Sequence, residues 1–495
     1  MSPFSVIITV LGYFAAMLAV SWISSRGSSN AGFFNGARKT PWWIAAIAMI
    51  GAPMSGVTFV SVPGMVGVNG TAMGYMQMVL GFFVGYLIIA FVLMPVFYKM
   101  NMVSIYQYLE ERFGMSSHKT GAWFFFISKI LGAAVRLFLV CVTLQLMVFE
   151  PLGLPFALNV AVSMGIVLLY TFRGGVKSVI WTDVLKTVCM VTAIVLGIVF
   201  IAKDLGLNFS GLAQTVRDSA YSKMFFFDDV NHPEYFWKQF LAGVFTVVAM
   251  TGLDQDLMQR TLSCKDRRGA QKNLVTSGLL QIPVIFLFLC LGALLYIFAA
   301  SSGISETGDT LFPAVATSGR LPAIVGVMFV IGLVSCAFSA GGSALTALTT
   351  SFTVDIIGTA GKSEERVTRI RKRVHLGMAL GMGVCIFIFH LLNTKSAIDA
   401  VYKLASYTYG PILGMFAFGL LTRRKIRDKW VPAVAVAAPV LSFILQANSA
   451  RWFGGYRFSY ELLLFNALFT FLGLCLLIRR PPRHRTPDAG TSLSL

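Results

Sequence analysis

Asp183 and Lys186 lie three residues apart in an apolar stretch, so on a helix they share one face. A charge inside a membrane costs several kcal/mol unless it is paired or hydrated, about 2.5–3.5 kcal/mol on insertion scales. Each is therefore the expected partner of the other. Arg136 sits within Gly132-Ala133-Ala134-Val135-Arg136-Leu137-Phe138. A guanidinium grips a carboxylate through two parallel hydrogen bonds, which makes Arg136 a candidate anion-binding group; a structural arginine tying helix ends together is the alternative. Lys129 stands about two turns earlier. Asp254 and Asp256 are expected to pair with Arg260 and its neighbours at a gate rather than to bind solute. The remaining chemistry lies in backbone. Gly51-Ala52-Pro53-Met54-Ser55-Gly56 interrupts an apolar run, and its proline removes a donor and clashes with the preceding turn. Gly243 and Gly252 flank a second candidate break, around Phe245. Broken helices in a bilayer are tolerated where protein or a water-filled cavity receives the freed groups. Two such breaks five helices apart point to a transporter site between inverted repeats, with an ordinary packing kink as the alternative.

The elements that must position these groups are membrane helices. The chain of 495 residues is 56% hydrophobic and 12% charged, well below the charge of a soluble domain. About thirteen apolar stretches can cross a bilayer: 4–23, 41–66, 73–98, 120–149, 153–172, 178–202, 236–258, 273–300, 322–354, 374–393, 400–421, 431–447 and 458–478. The fold class is thus all-α integral membrane, with one domain over 1–478 and a Pro- and Arg-rich tail, 479–495, expected to be disordered and cytoplasmic. The net charge of +19 reads as positive-inside bias rather than nucleic-acid binding. With the N-terminus outside, about 28 Lys and Arg fall in inside loops and about 8 in outside loops. This places the C-terminus in the cytoplasm and the protein in the plasma membrane, the inner membrane of a Gram-negative cell, with lipid around it. The first stretch lacks a basic n-region and a cleavage site, so it is a span and not a signal peptide. Lys403 is placed to snorkel to the outside interface. A short surface helix is expected within the inside loop 98–119.

Several segments resemble the sodium/solute symporter family: Pro53-Met54-Ser55-Gly56-Val57-Thr58-Phe59, Arg173-Gly174-Gly175-Val176-Lys177-Ser178-Val179-Ile180-Trp181-Thr182-Asp183, Asp254-Gln255-Asp256-Leu257-Met258-Gln259-Arg260, Ser339-Ala340-Gly341-Gly342-Ser343-Ala344-Leu345-Thr346 and Ser406-Tyr407-Thr408-Tyr409-Gly410-Pro411. The resemblance covers nearly the whole chain. It implies a leucine-transporter-type fold of two inverted five-helix repeats, about 41–202 and 236–421. It implies a secondary active transporter that imports a small organic solute by alternating access, coupled to Na+. The nearest site residues are those of the sialic-acid branch, which implies an acidic sugar or another carboxylate.

The resemblance also implies residues. The principal sodium site would use carbonyls of Gly51, Met54 and Cys336 and the Ser339 hydroxyl. The family usually has a second hydroxyl where this chain has Ala340. A second sodium site would use Ser339, Ser343 and Asp183, and the sialic-acid branch has a polar residue where this chain has Gly342. Relatives often have Gln in place of Lys186. That exchange motivates a sodium-independent alternative, facilitated or proton-coupled, in which the Lys186 ammonium replaces a sodium ion near Asp183. Arg136 would hold the solute's carboxylate, with Ser55, Thr58, Gln77 and Phe245 around the solute.

Other classes have less support. The five histidines are scattered, and neither H-E-x-x-H nor G-x-S-x-G occurs, so an enzyme is not expected. The seven cysteines show no disulfide framework or zinc-ligand spacing. A channel or non-transporting sensor of the same fold is the remaining alternative.

Overall fold

The computed structural model describes residues 3–479 apart from 27–28, 231, 392–396, 455, 457 and 459–460; for 3, 147 and 397–403 it describes the backbone alone. Nearly all of the tail 479–495, and the side chain of Lys403, lie outside the described residues. Among those residues the secondary structure is helical, apart from two isolated bridges, Thr40 with Cys264 and Ile426 with Ile478.

Among the described residues nine helices are long and apolar enough to cross a membrane, two helix pairs do so as bent spans, and Phe156–Thr171 and Leu462–Leu476 are shorter apolar helices. Together they account for the thirteen expected stretches. In chain order the first six spans are Pro3–Ser24, Trp42–Gly51 with Gly56–Met65, Tyr75–Lys99, Met115–Leu144, Phe156–Thr171 and Val176–Asp204. The seventh to tenth are Phe236–Gly252 with Gln255–Leu262, Arg267–Ser302, Ala323–Ile357 and Glu364–Leu391. The last three are Ala397–Leu421, Val431–Trp452 and Leu462–Leu476. The expected surface helix forms over Gln107–Arg112.

The two broken spans set the site. The second span bends by 58°. Its first half stops at Gly51, the Met54 N–H closes a tight turn onto the Gly51 carbonyl at 2.9 Å, and the Ser55 N–H donates to Thr58 Oγ1 at 3.2 Å as the second half begins. The seventh span bends by 70°, between Gly252 and Gln255. Its second half is capped by the Asp254 carboxylate, which accepts from the Asp256 N–H at 2.7 Å and the Leu257 N–H at 3.4 Å. Gly243, read from sequence as part of that break, has another role. A Cβ on Gly243 would collide with the Met78 carbonyl, and a Cβ on Gly81 with the Phe240 carbonyl. The glycine pair lets the third and seventh spans touch backbone to backbone, the usual way membrane helices gain packing that lipid cannot supply.

The sixth and ninth spans pack together at the centre, with the first span against both. The fourth span joins the ninth and eleventh, and the thirteenth lies on the eleventh and twelfth. Apolar side chains such as Leu380, Val384, Leu472 and Leu476 stay exposed on the outer faces, where lipid would meet them.

Candidate solute and cation sites

The breaks in the second and seventh spans open onto one cavity of about 400 Å³, within the range of small-molecule sites. Ser55 and Thr58 line it from the second span, Lys129 and Arg136 from the fourth, and Tyr409 from the eleventh. The helix Gly56–Met65 begins at this wall, where Ser55, Val57 and Thr58 line the cavity, and a half-helix N-terminus favours an anion. Two cations line the cavity and they differ. The Lys129 ammonium lies 3.0 Å from Asp254 and 2.6 Å from Asp256. Arg136 has no carboxylate within ion-pair distance among the described residues, and the charged form of its guanidinium is left to what enters the cavity.

Lys129 belongs to a buried chain of alternating charge. Asp256 meets Lys129 on one side and Arg260 Nη1 on the other at 2.8 Å. Arg260 Nε reaches Asp183 Oδ2 at 2.7 Å. Tyr409 donates to Asp254, Ser343 to Asp256, Ser339 to Asp183, and Arg260 Nη2 donates to Ser343. The fourth, sixth, seventh and ninth spans are thereby joined through five ions that are each almost wholly buried. The expected pairing of Asp256 with Arg260 is present; Asp254 turns to Lys129 instead. Lys129 and Arg136 are seven residues apart, two turns on one face, which is the signal that could have placed Lys129 at the same cavity.

The Asp183–Lys186 pair expected from their spacing does not form. Both Asp183 oxygens are engaged, by Arg260 and Ser339. Lys186 is fully buried, and its Nζ has no hydrogen-bond partner. Adjacent positions on a helix face set direction only; the competing cation arrives from the seventh span, which local spacing cannot reveal.

The residues assigned to sodium are differently committed. The Gly51 carbonyl closes the tight turn, the Ser339 hydroxyl donates to Asp183, and Ala340 presents no oxygen to the cavity it lines. Ser339, Ser343 and Asp183 do converge, and the Arg260 guanidinium lies among them. Over Gly342 sits the Tyr170 hydroxyl, which donates to the Phe338 carbonyl at 2.8 Å, and a Cβ at 342 would fall inside it. Gly342→Ser is therefore expected to destabilise the protein by about 1–3 kcal/mol through overpacking. Thermal unfolding in detergent checks this, and Tyr170→Phe in the same chain should restore part of the loss.

Two expected solute contacts lie elsewhere. Gln77 is 0% exposed and bonds the 205–235 connection, donating to the Glu234 carbonyl at 2.8 Å and accepting from the Phe226 N–H at 2.9 Å. Phe245 is 37% exposed and is not among the cavity's lining residues. Each sits on a helix whose opposite face lines the cavity, a rotation that only packing determines. In place of Gln77, Glu234 itself reaches the cavity wall, and burial pushes its carboxyl up to about 7.

Comparison with known proteins places this arrangement. The family model described as the sodium:solute symporter family matches residues 33–427. A sodium/sialic acid symporter of Aliivibrio fischeri is 24% identical over 90% of this chain and 88% of its own length. Sodium-coupled monocarboxylate transporter 1 of Homo sapiens is 26% identical over 82% of this chain and 68% of its own. A solved structure, the substrate-bound outward-open state of a Na+-coupled sialic acid symporter, superposes with a TM-score of 0.79 over 96% of this chain and 99% of that one, at 19% identity. That likeness shows the same fold, the inverted-repeat arrangement in which a broken span opens each half.

Proposed function

Since this chain belongs to the sodium:solute symporter family, and so is a multi-pass membrane transporter and not an enzyme, we propose that it imports a small organic anion bearing a carboxylate. The observation that carries this is the unpaired Arg136 guanidinium on the cavity wall, beside the start of Gly56–Met65. A bidentate pair with a carboxylate, backed by the helix N-terminus, is the arrangement such a guanidinium fits. The relatives named for sialic acid and for monocarboxylates have a carboxylate solute in common. Ser55 and Thr58 would meet the solute's hydroxyl or amide groups. By alternating access, the solute enters with the cavity open outward and leaves when the other side opens. A cation at the break of the second span would compensate the carbonyls there; the relatives are named as sodium-coupled. The excess of Lys and Arg in alternate loops supports an N-terminus outside and a C-terminus in the cytoplasm, in the plasma membrane.

The test is uptake into proteoliposomes at fixed membrane potential, with labelled sialic acid, lactate and a neutral sugar. Saturable uptake of either acid, with none of the neutral sugar, supports the reading. Uptake of the neutral sugar alone overturns it.

The orientation puts Glu234 at the outer wall of the cavity. Its carboxyl is neutral well below pH 7 and negative above, so it repels an entering anion only at higher pH. Uptake of a carboxylate solute should rise about tenfold from pH 8 to pH 6, following the neutral fraction. Glu234→Gln should flatten that profile at its upper level. The stability sign is the same: the folded value near 7 exceeds the ordinary 4.5, so the contribution is complete below about 4.5 and lost as pH rises through 7.

A further inference from the structure

We infer that in this protein the compensating cation is the Lys186 ammonium, so that transport by the cycle proposed above proceeds without sodium. The inference deepens that reading and rests on three observations. The first is Lys186 itself, fully buried, with an Nζ that no acceptor among the described residues bonds. The ionisable groups facing it are Cys336 of the ninth span, Asp183 of its own helix, and Arg260 and Asp256 of the seventh. Tyr13 of the first span reaches the same pocket, its orphan hydroxyl facing Cys189, Tyr170, Cys336 and Asp183. The first half of the second span, Trp42–Gly51, has no ionisable residue. A protonated Lys186 would face Cys336, the ninth-span residue whose carbonyl the family resemblance gives to sodium.

The second observation is the oxygen inventory. Ala340 stands where the family resemblance implies a second hydroxyl, and the Ser339 hydroxyl donates to Asp183. A hard cation seeks about six oxygens, and the side chain at position 340 supplies none of them.

The third is charge balance. Asp183, Asp254 and Asp256 meet only Lys129 and Arg260 in ion pairs, leaving one negative charge in the buried cluster. The Lys186 ammonium cancels it. A sodium ion placed beside Lys186 would instead leave the cluster with an excess positive charge in a medium where that is costly. Arg136 then remains as the charge for the solute's carboxylate.

The experiment needs no solute, so its failure is separable from failure of the transport reading. Thermal unfolding of the purified protein is followed in sodium chloride and in choline chloride at equal ionic strength. Wild type should unfold at the same temperature in both. Lys186→Gln, which removes the charge, should gain a sodium-specific rise in Tm, and its uptake of a carboxylate solute should become sodium-stimulated by tenfold or more. A sodium-specific rise in wild type, or sodium-driven accumulation by wild type, overturns the inference even if Lys186→Gln fails to fold. A folded Lys186→Gln protein indifferent to sodium overturns it as well.

Discussion

Replacing Arg136 with Ala should abolish tight binding of carboxylate solutes, raising KM by roughly 30-fold or more. Removing one partner of a desolvated, hydrogen-bonded charge pair costs about 2–5 kcal/mol, most of it from stranding the other charge. The cavity offers the solute's carboxylate no substitute, because its other lining cation, Lys129, is held by Asp254 and Asp256. Arg136→Lys keeps the charge and loses the planar fork, so it should recover only part of the affinity. The measurement is initial uptake rate against solute concentration, with thermal unfolding as a control for folding. Arg136 makes no ion pair in the described protein, so its removal should leave Tm nearly unchanged. A large fall in Tm with unchanged KM would mean that Arg136 ties helices together instead.

The second large effect is on stability. Arg260 binds Asp183 through Nε at 2.7 Å and Asp256 through Nη1 at 2.8 Å, and is 1% exposed. Arg260→Met should destabilise the protein by about 3–5 kcal/mol, because it leaves Asp183 buried without its ion-pair partner. The double variant Arg260→Met with Asp183→Asn should recover much of that loss, since an amide in place of the carboxylate removes the stranded charge. Unfolding in detergent, compared across the single and double variants, reads the coupling directly. Equal losses in single and double variants would show that Arg260 matters for packing and not for charge.

The sequence by itself determined the membrane helices and the break in the second span, while the seventh span breaks after Gly252 rather than around Phe245. Apolar length sets what can cross a bilayer, and Pro53 beside Gly51 cannot sit in an unbroken helix, so both are local facts. Arg136 was legible for the same reason: a lone guanidinium in an apolar run must meet something. Family motifs supplied the repeat arrangement that composition could not. Partnership belonged to the tertiary structure. Three residues along one helix suggested Asp183 with Lys186, yet a guanidinium from 77 residues away takes the carboxylate and leaves the amine alone. Gln77 and Phe245 fell outside the cavity because the rotation of a helix about its axis is set by its neighbours, here the glycine contact between the third and seventh spans. Pairing is a competition among all groups brought within reach, and reach across helices is decided only when they pack.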